Sequence, residues 1–189
     1  MRRGNALMFG FQEAKPAGAA RNILLTELQT VVFWGFFLFL MPWLITLLEA
    51  RFGVPSFAPQ RVAGVVWFAA ASAVGLVTGI TMAVIGRGTP LPMRCARVLV
   101  VRGPYAYVRN PMALSGLSQG AAVGLWLGSR LTLAYVVVGG VLWHVGVRPV
   151  EERDMEQRFG APFLRYRRAV RCWIPRLTAY RVPPPNTRG

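Results

Sequence analysis

The residues best suited to chemistry fall in two stretches of this sequence, GPYAYVRNPM at 103–112 and HVGVRPVEERDM at 144–155, each bordering a strongly apolar run. In the first, Gly103-Pro104 lets the backbone turn sharply and approach a ligand. Tyr105 and Tyr107 offer aromatic faces with polar handles, and they suit the aromatic belt of a membrane interface equally well. Asn110-Pro111 reads as a helix N-cap followed by proline at the first helical position, which accounts for both residues but not for Arg109. In the second stretch His144, Arg148 and Glu151 stand at i, i+4 and i+7, within a roughly 60° arc of one helix face that Met155 continues. Pro149 makes that alignment approximate by kinking the helix. Ionisable residues at the end of a membrane helix point to function, although an Arg148–Glu151 ion pair at a helix end in water is the structural alternative. Together the two stretches offer an arginine for a carboxylate, a carboxylate for an ammonium, and an aromatic face for a base or a cationic sulfur. That set fits a small zwitterion without naming it.

The elements that must position these residues are hydrophobic. Of 189 residues 54% are apolar and 15% charged, a balance that suits a membrane protein. A spanning helix needs about 20 apolar residues. The expectation is an all-α integral membrane protein of about four helices, spanning 23–48, 62–85, 112–127 and 131–147, with a C-terminal helical segment at the interface. Pro42 kinks the first helix, Glu27 lies near its entrance, and Gly75 and Gly79 give the second a GxxxG spacing. Gly-Ser-Arg at 128–130 turns the last two into a hairpin. The domain expected is 23–176, between a tail at 1–22 and a flexible tail at 177–189, with 86–111 and 144–176 forming its polar site region.

The net charge of +15 fits this topology. Four spans place 19 of the 22 Lys and Arg residues on one side, which the positive-inside rule assigns to the cytoplasm together with both termini. The charge then needs no nucleic acid. FLRYRRAVRCWIPR, with Phe163, Tyr166, Val170 and Trp173 at helical spacing among arginines, reads as an interfacial segment on anionic headgroups. Cys95 and Cys172 form no CxxC pair, and His144 is the one histidine, so a four-ligand zinc site is not expected and two free thiols are. The N-terminus lacks the compact apolar core of a signal peptide.

LVVRGPYAYVRNPMALSG followed by HVGVRPVEERDMEQRFGAPFLRYRRAV resembles the isoprenylcysteine carboxyl methyltransferase family, which belongs with the membrane phospholipid methyltransferases. The likeness covers about residues 86–175, and GRGTPLP is similar to the lead-in of bacterial members, implying a bacterial inner membrane. The resemblance implies an enzyme using S-adenosyl-L-methionine. It implies that Leu99 and Val100 lie along the cofactor, with Gly103, Tyr105, Arg109, Asn110 and Pro111 forming its turn. By the same likeness Glu151, with Glu152 beside it, resembles the residue that holds the amino acid moiety, and Arg148 the residue that faces the acceptor. Asn110 stands where many members carry His, and Ala113 where many carry Tyr.

A carboxylate acceptor needs no general base, whereas an amine or thiol must lose a proton, for which His144 is the candidate. The catalytic set expected is therefore Arg148, His144 and Arg109. The acceptor implied is lipophilic, such as an isoprenylcysteine-type carboxylate, entering between helices near Gly139-Gly140. Methylation of a phospholipid amine or a small thiol, and a non-catalytic scaffold binding lipid or a partner, are the other readings.

Overall fold

The computed structural model describes residues 31–86 and 98–182, together with Leu24 and Leu28. The expected tail at 1–22, the entrance of the first span, Cys95 and most of 86–98 lie outside the described residues, as does 183–189.

All regular structure in the described residues is helical: α1 (Val31–Phe52), α2 (Arg61–Ile85), α3 (Pro111–Leu127), α4 (Arg130–Phe159) and α5 (Ala161–Ala169), with a 3₁₀ turn at Gly103–Ala106. Three of them, α1, α2 and α4, are long and apolar enough to cross a membrane. The 17-residue α3 rises only about 26 Å, short of a bilayer core of roughly 30 Å. It lies at the centre of the bundle, against α1, α2 and α4.

Small residues set the spacing around α3. Close backbone approach drives helix association in lipid, where burying apolar surface gains little. On α2, Gly64, Ala71, Gly75, Thr78, Gly79 and Ala83 are buried. A β-carbon at Gly75 would stand 2.7 Å from Ser115 Oγ, which donates to Ala71 O at 2.7 Å. The other faces of α3 carry Gly116, Gly120 and Gly124, pressed against Trp34, Val136 and Leu133.

Both prolines inside long helices act alike. A π turn at Phe36–Leu40 ends two residues before Pro42, and one at Trp143–Val147 ends two residues before Pro149. Proline has no N–H and its ring crowds the carbonyl four residues back; widening the turn relieves that crowding. The helix then continues, so α4 runs unbroken from its apolar part into a polar extension, Arg148–Phe159, in which seven of twelve residues are charged.

Helix α1 extends four residues beyond the expected end because Glu49 is satisfied there. The 7%-exposed carboxylate accepts from Ser129 Oγ and from Leu131 N–H, both at 2.9 Å, closing the N-terminus of α4. Ser129 itself caps Thr132 N–H at 2.9 Å. Glu49→Ala strands these donors and will cost about 1–3 kcal/mol, with Glu49→Gln milder, read as lowered thermal unfolding temperature in detergent.

Candidate functional site

The site forms where the 3₁₀ turn, the polar extension of α4, α5 and the following strap at 170–182 meet at the polar end of the bundle. Gly103 enters the turn with φ 57°, left-handed backbone that favours glycine, and a β-carbon there would crowd Thr81 of α2 at 3.0 Å. Residues 99–101 carry no regular structure before it, and Arg102 is extended. Leu99 and Val101 pack on the Phe163, Tyr166 and Val170 cluster, while buried Val100 lies close to Gly86 at the end of α2.

The two tyrosines part ways. Tyr105 is 7% exposed and its carbonyl accepts the Tyr166 hydroxyl at 2.7 Å, whereas Tyr107 is 42% exposed. Burial, then the neighbouring Tyr166, then Glu151 push the Tyr105 hydroxyl far above its ordinary range, so it stays protonated and able to donate. Asn110 accepts from Ala113 N–H at 3.3 Å and caps α3, with Pro111 following, as its sequence position indicates.

Arg109 binds within the protein itself. Its Nη1 meets Glu152 Oε1 at 2.6 Å, its Nε donates to Val170 O at 2.7 Å, and its backbone N–H donates to Arg171 O at 3.0 Å. It fastens the turn, α4 and the strap together. Glu152 also meets Arg148 at 3.5 Å and Arg167 at 3.9 Å, so it is surrounded by three guanidiniums.

Glu151 differs from its neighbour. Among the described residues its carboxylate makes no hydrogen bond and no ion pair. Burial, then Glu152 and Asp154, push its pKa up to about 7. It lies in the polar extension of α4, beyond the apolar segment. A half-buried acid beside a buried tyrosine, with no partner of its own, is suited to a cationic ligand group.

His144 is exposed on α4 and its Nδ1 accepts the Trp173 indole N–H at 2.8 Å. An indole only donates, so the neutral imidazole carries its proton on Nε2 and has no free lone pair. Its carbonyl accepts from Arg148 Nε at 3.3 Å. Arg109, Arg148, Glu151, Glu152 and Tyr105 are thus brought together, while His144 is drawn outward to the strap. Sequence reasoning placed the strap in the site region only to 176 and did not foresee its bonds to the turn: Arg176 N–H bonds Tyr107 O and Tyr180 N–H, in the stretch expected to be a flexible tail, bonds Ala106 O, each at 2.9 Å. Cys172, buried beside it, has its thiol pKa raised chiefly by burial. An isolated tryptophan among arginines was the one available signal.

An apolar cavity of about 220 Å³ opens between α1, α3 and α4, lined among others by Trp34, Phe37, Ala113, Gly116, Gly139 and Trp143. Trp143 carries the one buried side-chain polar atom without a partner among the described residues, its indole nitrogen.

A model of the phospholipid methyltransferase family matches residues 61–162, more than half of the chain. No curated protein and no solved structure gives a match. The matched range takes in α2, the turn, α3 and all of α4, including every residue of the acidic pair and the arginines around it except Arg167.

Proposed function

The chain belongs to the phospholipid methyltransferase family, membrane-bound methyltransferases, and on that premise we propose that it moves a methyl group from S-adenosyl-L-methionine to a lipophilic carboxylate. The unpartnered Glu151 carboxylate carries the reading. It is the group able to take the α-ammonium of the methionine moiety, with Tyr105 beside it as a donor and the Gly103 turn allowing close backbone approach. When bound, the cofactor supplies an electrophilic methyl on a cationic sulfur. The protein's part is to align the acceptor with that methyl and to exclude water, since proximity supplies much of the acceleration in such a displacement.

Arg148, held among the described residues only by long contacts to His144 O and Glu152, is the residue to orient the acceptor carboxylate. An ionised carboxylate needs no base. The engagement of His144 by Trp173 supports this acceptor over an amine or a thiol, which must each lose a proton. The apolar body of the acceptor belongs in the cavity beneath Ala113, which exceeds the roughly 150 Å³ space that takes up benzene in an engineered protein core. We place the polar end of the bundle in the cytoplasm, from which the soluble cofactor arrives while the acceptor enters from the bilayer.

Membranes carrying the protein, given methyl-labelled cofactor, will yield lipid-extractable label that mild base releases as methanol. Label that stays on a phospholipid amine after base treatment refutes the carboxylate acceptor. Trp143→Phe, which keeps an aromatic ring but removes the N–H and narrows the indole to a phenyl, will raise the acceptor KM roughly fivefold and leave cofactor Kd unchanged, the expected loss of one hydrogen bond to the acceptor and of part of the cavity wall.

A further inference from the structure

The strap that follows α5 has one face that nothing among the described residues covers. Leu177 is 102% exposed and Ile174 58%, although the flanking backbone is fixed by the bonds of Arg176 and Tyr180 to the turn. Around these apolar side chains, the exposed guanidiniums of Arg165, Arg168, Arg171 and Arg181 make no hydrogen bond or ion pair among the described residues. No acidic residue follows Glu156, whereas eight arginines do.

The level of the strap along the bundle is also fixed. Trp173 bonds His144, which stands before Arg148 within the apolar part of α4, where Val141, Leu142 and Val145 are all more than half exposed. The indole therefore marks the border between the apolar band and the polar extension. Tryptophan is favoured at that border in membranes, and the adjoining Ile174 and Leu177 reach solvent at the same end of the molecule.

We propose that residues 165–181 form a seat for the anionic lipid headgroups of the surrounding membrane, the arginines meeting phosphates while Ile174 and Leu177 enter the headgroup–acyl boundary. Juxtamembrane arginines are attracted to an anionic leaflet, and apolar side chains between them add burial. The inference stands apart from the methyltransferase reading, because it uses none of the residues assigned to cofactor or acceptor. Its consequence for the site is mechanical: the strap that would be seated also supplies the Val170 and Arg171 carbonyls that hold Arg109.

Hydrogen exchange on the full chain in nanodiscs tests this. With phosphatidylglycerol present, the Leu177 and Thr178 amides will exchange roughly tenfold more slowly than in pure phosphatidylcholine, an effect that high salt removes. The Arg165→Gln/Arg168→Gln/Arg171→Gln variant will lose the difference. Leu177→Asp, at a position with no packing to disturb, will reduce it without altering exchange in α2 or α3. Equal exchange in both lipids overturns the proposal, as does protection in phosphatidylcholine alone or protection that survives Leu177→Asp. Protection conferred by a DNA oligonucleotide without dependence on lipid charge assigns the face to nucleic acid and overturns it too.

Discussion

Glu151→Gln will weaken S-adenosyl-L-methionine binding roughly 10- to 150-fold, as removal of a charged hydrogen bond worth about 1.5–3 kcal/mol requires. The substitution keeps shape and exposure, and it breaks no hydrogen bond or ion pair with the described residues, because the Glu151 carboxylate makes none there. The folded protein will lose no stability, and its unfolding temperature will rise above neutral pH, where the wild-type carboxylate is ionised in a half-buried place; isothermal calorimetry in detergent will show the lost affinity. The pH profile gives a second readout. With its pKa near 7, Glu151 is protonated below neutrality and loses its attraction for an ammonium. Affinity will fall roughly tenfold per unit below pH 7 and level off above it, while the Gln variant is flat across that window. For the protein alone the sign is opposite. The folded pKa is raised from 4.5, so the stability this group contributes is fully present below about pH 4.5 and is lost as pH rises through 7. Unchanged affinity in the Gln variant would remove Glu151 from the cofactor site.

Arg109→Ala will act differently, on the fold of the site before its chemistry. The side chain is 12% exposed and joins two segments, at Glu152 and at the Val170 carbonyl. Its removal leaves a part-buried carboxylate without its shortest partner and a carbonyl without its donor. Breaking a pair of this kind by deleting one member costs about 3–5 kcal/mol when fully buried, and the partial exposure here brings the expectation to about 2–3 kcal/mol. Hydrogen exchange will locate the loosening in the strap at 170–182, and activity will fall with it. Arg109→Lys will not restore the wild-type protection, since an ammonium lacks the planar fork that reaches both oxygens. A variant active and as stable as wild type would show that the turn needs no such fastening.

Much of this was legible in the sequence because it rests on local rules. The charge-free run at 62–85 is α2 almost to the residue, since composition over 25 residues leaves no other element. Asn110-Pro111 capped α3 as its types indicate, and the meeting of the two polar stretches at one end of the bundle was expected, though not the pairing of Arg109 with Glu152. The helix through Pro149 was read with a kink, but the π turn that carries it past the proline was not legible, because such a turn depends on neighbouring packing more than on sequence. Nor was the division of labour between Glu151 and Glu152. Adjacent glutamates are alike as letters, and only three-dimensional placement surrounds one with guanidiniums and leaves the other free. Glu49 escaped notice for the same reason: its partners lie about 80 residues away.

The paired π turns have a mechanical meaning. The first includes Phe37 and Leu38 and the second begins at Trp143, and all three residues border the same hollow. Two of its three helical walls are therefore jointed, each at a place where backbone bonding is already loosened ahead of a proline. The third wall, knit by glycines, has no such joint. The hollow is thus framed by two jambs whose backbone bonding is loosened ahead of a proline, at 42 and 149, and by one post without such a break.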